Sequence, residues 1–149
     1  MEINKPLRIK SIWLDSKTAS INTNRTQLIF NKLPLIQVRG SRNVLKVNSI
    51  SLASTNASNY TGHVWEFKID RVLFNQNYYF NSDNNSIPTI ANVMIDSNQM
   101  YNTNSGGLEI EQQDINQIVL YVKSSDDHGL TKNSQDIHLY LNLIIEEYY

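Results

Sequence analysis

Three histidines, fourteen carboxylates and fifteen serines could do chemistry in this 149-residue chain, yet their spacing arranges none of them for it. His63 and His138 fall in strand-like sequence and His128 in a loop. A zinc site needs three or four converging ligands, usually with a close pair such as H-x-x-x-H, and no such pair occurs. Cysteine is absent, which removes disulfides, thiolate nucleophiles and Cys-ligated zinc together. The loop Ser124-Ser125-Asp126-Asp127-His128-Gly129 could hold calcium through carboxylate and backbone oxygens, but it reads first as solvated loop charge. Asp96-Ser97-Asn98 opens like an EF-hand loop, until Met100 takes the fifth ligand position with no helices on either side. There is no G-x-S-x-G nucleophile elbow. Gly40, Gly62, Gly106, Gly107 and Gly129 match no phosphate-cradling loop. The sequence thus nominates no catalytic, cofactor-binding or metal-ligating residue and predicts a non-enzymatic protein without a cofactor.

Aromatic side chains offer the one functional hint. Tyr60, Tyr78, Tyr79, Tyr101, Tyr148 and Tyr149 lie in loops or at the terminus. Exposed rings beside Asn could stack on sugars; equally, tyrosine is enriched at protein interfaces, and the interface reading is favoured. Trp13 and Trp65, on apolar strand faces, are expected in the core.

The elements that must position these residues are short strands divided by Asn- and Ser-rich loops. In His63–Phe74, Trp65, Phe67, Ile69 and Leu73 point one way and Glu66, Lys68 and Asp70 the other, the two-residue period of a strand with one wet face. Ile137–Ile145 repeats it with Ile137, Leu139, Leu141, Leu143 and Ile145. Leu7–Leu14 opens the set, with Leu7, Ile9 and Trp13 on its apolar face and Pro6 where a missing donor is tolerated. Thr26–Phe30, Leu35–Val38, Tyr78–Phe80, Thr89–Ile95, Leu108–Glu111 and Ile115–Lys123 follow the same style. Val44–Ala53 sets Val44, Ile50 and Leu52 against Leu45 and Val47, so both faces look partly buried. A short helix or turn fits Gln112–Asn116. Asn-Gly, the strongest two-residue hairpin signal, never occurs, so connections are long and favour Greek-key crossings between sheets. The fold class is all-β: one domain over residues 1–149, a two-sheet antiparallel sandwich of the jelly-roll kind.

Composition closes off other classes. Apolar residues are spread evenly at 40%, which argues against disorder. No apolar run approaches the roughly 20 residues a membrane helix requires, and Met1–Lys10 lacks the apolar core of a signal peptide. Four sequons, at Asn24, Asn56, Asn59 and Asn84, are no more than this Asn, Ser and Thr content produces by chance. The net charge of −1 hides a basic first third and an acidic remainder. Interleaved strands would mix these charges on one surface, and no concentrated basic arm suited to phosphate neutralisation is present. Direct nucleic-acid binding is therefore not expected.

Strands such as Val64–Phe74, Ile115–Lys123 and Ile137–Ile145, with Asn-rich loops and no Cys, resemble the small single jelly-roll structural proteins of large eukaryotic DNA viruses, of penton or minor capsid type. Heavy Asn and Ile usage, and Lys over Arg, suits the AT-rich genomes common in that group. The resemblance covers the whole chain without a diagnostic motif, and no strong extension beyond the sandwich is visible. It implies a structural subunit made in host cytoplasm and placed in the virion, self-associating into a ring or shell and meeting other capsid proteins. A carbohydrate-binding or host-attachment module on the same fold is the alternative. For a ring, a basic edge drawn from Arg8, Lys10, Arg39, Arg42 and Lys46 is expected to meet an acidic edge drawn from Glu109, Glu111, Asp126 and Asp127, in an association that weakens with salt.

Overall fold

Ile137, Leu139, Leu141, Leu143 and Ile145 are all fully buried, as their alternation predicts, and the strand that carries them is the spine of the molecule. The structure is a computed structural model and describes residues 6, 8–75, 87–96, 101–102, 107–132 and 135–149. In chain order the strands begin with β1 (Arg8–Asp15), β2 (Ser20–Ile21), β3 (Gln27–Phe30), β4 (Ile36–Val38) and β5 (Arg42–Ala53). Next come β6 (His63–Asp70), β7 (Thr89–Ile95), β8 (Tyr101–Asn102), β9 (Leu108–Ile110) and β10 (Gln113–Ile115). Then follow β11 (Ile118–Ser124), β12 (Thr131–Lys132), β13 (Gln135–Asp136) and β14 (His138–Tyr148). Ser16–Thr18 and Ala57–Asn59 form single 3-10 turns, and no helix among the described residues is long and apolar enough to cross a membrane.

Two antiparallel sheets of five strands pack as a sandwich. One runs β1-β14-β5, with β8 and β9 pairing successive parts of the far side of β5. The other runs β2-β3-β11-β6-β7. If β8 and β9 count as one interrupted strand and the short β2, β4, β10, β12 and β13 are set aside, the pairing has a simple rule. The first long strand pairs the last, the second the seventh, the third the sixth and the fourth the fifth. The chain is one long hairpin wound across two sheets.

Between the sheets lies a single apolar cluster. Trp65, Phe67 and Ile69 reach it from β6, each fully buried, and burial of side chains of this size is worth about 1.5–3 kcal/mol apiece. The indole Nε1 of Trp65 donates to the Tyr60 carbonyl at 2.8 Å, which fixes the 54–62 loop and buries Tyr60 with it. Tyr60 is thus a core residue and is not available for stacking.

Other expectations are corrected by local geometry. On β5, Leu45 and Val47 face the core, yet so do Ile50 and Leu52. The β14 register shifts where Asn142 meets Ser49 and Leu143 meets Val47, leaving Asn48 as an extra residue. An inserted residue reverses the alternation beyond it, so Leu45, Val47, Ile50 and Leu52 share the core face, while Val44, opposite in parity to Leu45, is buried outside that cluster, and both faces are partly buried as expected. Strand β6 stops at Asp70, and Arg71 turns with φ 69°. Parity flips there as well: Val72 and Phe74 are buried while Leu73 is exposed. Gln112–Asn116 is no helix; Gln113–Ile115 is the short strand β10, paired with β4. The Tyr78–Phe80 strand lies outside the described residues, as do Met100 and the tyrosines at 78 and 79.

Candidate functional site

Strand β1 carries apolar residues of both parities, and only one set can be buried. Ile12 and Leu14 point into the sandwich, at 7% and 1% exposure. Ile9, Ser11 and Trp13 therefore point outward, and Trp13 is 60% exposed and Ile9 61%. The expectation that Ile9 and Trp13 form the buried face, with Trp13 in the core, is reversed. Asp15, of the same parity as Ile9 and Trp13, shows why: that face ends in a carboxylate, which caps the next turn by accepting from the Lys17 amide at 2.9 Å. The far end of β1 is held by Ser16, buried, whose hydroxyl accepts from the Leu139 amide at 3.0 Å.

One side of β1 pairs continuously with β14, from Arg8 opposite Glu147 to Asp15 opposite Tyr140. Its other side has no strand partner among the described residues. Across from it stands the segment 33–37, where Leu35 is 56% exposed. Between them lies a groove of about 610 Å³, lined on one wall by Arg8, Ser11 and Trp13 and on the other by Leu33, Pro34 and Leu35. Lys10 anchors the far wall, since its ammonium donates to the Gln37 carbonyl and lies 3.2 Å from Glu147 Oε1. The Glu147 side chain is fully buried and also accepts from the Arg39 amide at 2.7 Å, so β14, β1 and the 37–39 backbone are tied at one point. On the outer face the amide of Asn142, itself buried, donates to Ser11 Oγ at 2.8 Å and accepts from Asn48 at 2.8 Å. The bulge residue of β5 thus braces the middle of β1.

The site combines a strand edge without a strand partner among the described residues with exposed isoleucine, tryptophan and leucine. Such an edge is a template for another strand, and a large exposed apolar patch marks an interaction surface. Its lining holds one serine, Ser11, with no histidine or carboxylate beside it.

The residues singled out in sequence have other fates. The structure brings Ser124, Asp126, His128 and His63 together, though His63 lies 61 positions before Ser124 in the chain. Asp126 Oδ2 lies 3.4 Å from His63 Nε2 and 3.3 Å from His128 Nδ1. The Ser124 hydroxyl, however, donates to Asp126 and accepts from the His128 amide at 3.1 Å. It is spent on closing the turn and is not aligned on an imidazole, as a serine nucleophile requires. No group of three or more ligating side chains that could hold a metal occurs among the described residues.

Four of the five cations expected to reach a neighbouring chain are paired within this one. Lys10 meets Glu147, Arg39 meets Asp114, Arg42 meets Glu109 and Lys46 meets Glu146. Arg42 Nε donates to Glu109 at 2.7 Å and its guanidinium sits 5.1 Å from the Tyr148 ring centre. That hydrogen bond raises Arg42 above its ordinary pKa and holds Glu109 below the ordinary carboxylate value. Asp127, counted on the acidic edge, pairs Lys123 at 3.1 Å. Arg8 alone of the five basic residues makes no ion pair among the described residues. The opposite charges of the two parts of the chain are brought together at these positions by the pairing of strands far apart in sequence.

Sequence reasoning missed Trp13 because Ile12-Trp13-Leu14 is apolar at every position, so periodicity alone cannot say which face is buried. Asp15 was the available signal. No protein-family model matches the chain, and no curated protein matches it.

Proposed function

We propose that this chain is a non-enzymatic structural subunit, a single jelly roll that assembles with copies of itself in the manner of penton or minor capsid proteins. The first-with-last strand pairing supports the jelly-roll reading, since that fold winds one hairpin over two sheets through two Greek keys and serves capsid and lectin domains alike. The observation that carries the assembly reading is the exposure of Ile9 and Trp13 on β1, an edge strand among the described residues, with the exposed Leu35 across from them. A subunit that stayed alone would leave that edge open to adventitious pairing.

A sugar-binding reading has one specific support, the exposed Trp13 ring beside the hydroxyl of Ser11 and the amide of Gln37 in one groove. The wall opposite is leucine and proline, which cannot satisfy a ring of hydroxyl groups, so assembly is preferred. Sedimentation velocity over a wide concentration range, beside a glycan-array screen, tests the choice. Mass rising with concentration and no glycan retained is expected. A constant monomer that retains a glycan through Trp13 would replace the assembly reading with the sugar-binding one.

A further inference from the structure

We infer that two copies of the chain join edge to edge through β1, as one continuous antiparallel sheet with a two-fold axis at Ser11. The inference rests on the self-association just proposed and adds its surface, its symmetry and its register. Strand β1 is eight residues long, unbroken in register against β14 and free of proline and bulges. Proline, a bulge and a very short strand, three of the devices that usually blunt an edge, are therefore missing. The charge that could have served, Lys10, is folded back onto Glu147 and Gln37.

A two-fold axis perpendicular to the sheet keeps every side chain on its own face, so opposed residues must share parity. That leaves few registers. An axis at Lys10 would set Lys10 against Lys10 of the second copy, and an axis at Ile9 would set Arg8 against Lys10. An axis at Ile12 would oppose Ser11 to Trp13 and Ile9 to Asp15, apolar against polar. An axis at Trp13 pairs only the last few residues and leaves Ile9 uncovered. The axis at Ser11 opposes Ile9 to Trp13 twice, on either side of Ser11 facing Ser11. Aromatic and β-branched residues directly opposite each other are a favourable cross-strand pair. On the inner side, Arg8 then meets Leu14 and Lys10 meets Ile12, with no like charges opposed.

The second copy's β1 would lie in the groove between β1 and residues 33–37, where Leu35 covers it. A second copy is the occupant that fits best. The surface is complementary to itself, as a two-fold contact requires, and a net charge of −1 sets almost no repulsion between copies. Of the two cations that line the groove, Lys10 is paired within the chain, which leaves Arg8 there to select a charged partner of another kind.

The absence of cysteine makes the register directly testable. Directly opposed residues of an antiparallel pair have Cα atoms about 4.5–5.5 Å apart, inside the roughly 4.4–6.8 Å a disulfide spans. The intact chain carrying Ser11→Cys, oxidised in a glutathione couple, is expected to give a covalent dimer on a non-reducing gel. Ile9→Cys or Trp13→Cys alone should not, because each lies four residues from its own copy, about 13 Å along the strand. An equimolar mixture of the two should cross-link. Met94→Cys, on the exposed edge strand β7, sets the rate of chance collision. Ser11→Cys trapping no faster than Met94→Cys, or Ile9→Cys trapping alone, would overturn the inference. If the unmodified chain still gains mass with concentration, the assembly reading survives that result. If it remains monomeric throughout, both fall.

Discussion

Two tryptophans of similar appearance in the sequence should respond oppositely to removal. Trp65 is fully buried and donates to the Tyr60 carbonyl, whereas Trp13 is 60% exposed on an edge strand. Trp65→Ala deletes a large core side chain at a cost of about 3–5 kcal/mol, a large share of the roughly 5–15 kcal/mol that typically holds a domain together. Trp65→Phe keeps most of the volume and loses the indole hydrogen bond, worth about 0.5–1.5 kcal/mol net. Trp13→Ser removes a ring already largely in water and should change stability by no more than about 0.5 kcal/mol. Urea unfolding followed by far-ultraviolet circular dichroism, at a concentration where the chain is monomeric, measures all three by linear extrapolation. Wild-type emission should also contain one component readily quenched by acrylamide, and Trp13→Ser should abolish it. If Trp13→Ser destabilised the monomer as much as Trp65→Ala, Trp13 would be a core residue and the groove would not exist as described.

Leu141→Ala, at a fully buried position at the centre of β14, should cost about 2–5 kcal/mol by the same urea assay; a loss below about 0.5 kcal/mol, the range of ordinary surface substitutions, would put β14 the wrong way round. Glu109 should titrate below free glutamate in a carbon-detected NMR titration, because Arg42 donates to its ionised form. Its folded-state pKa lies below the unfolded one, so its contribution to stability is present above the unfolded value and is lost as pH falls through the folded one. Glu109→Gln should accordingly soften the acid limb of the stability profile, and an unchanged limb would contradict the pairing. Because Lys10, Arg39, Arg42 and Lys46 are paired within the chain, self-association should persist or strengthen as sodium sulfate is added, since excluded salts favour apolar burial. Sedimentation showing dissociation by salt would restore the expectation of charge-driven contact.

The fold was legible wherever one strand face is apolar and the other is not. His63–Asp70 and His138–Tyr148 alternate cleanly, and their inward residues are buried as read. Alternation failed where a single backbone event reversed it. The extra residue at Asn48 put Ile50 and Leu52 on the same face as Leu45 and Val47 despite their opposite parity, and the positive φ of Arg71 carried Leu73 outward. Neither has a signature in composition. The site was hidden for a related reason: Ile9 and Trp13 make an apolar stripe as regular as a core stripe, and only position at the edge of a sheet separates the two. Which strand is an edge follows from pairing between residues about 130 apart, beyond the reach of local pattern. The charge division was real in sequence, but β14 lies between β1 and β5, and β9 beside β5, which joins opposite signs within one molecule.

Amide hydrogen exchange along β1, followed as protein concentration rises, tests the central claim most directly. The outward-facing backbone groups of residues 9–14 should gain protection in step with the mass measured by sedimentation, while β7, the exposed edge of the other sheet, should exchange at a constant rate. Assembly with β1 exchange unchanged, or protection appearing on β7 instead, would contradict it.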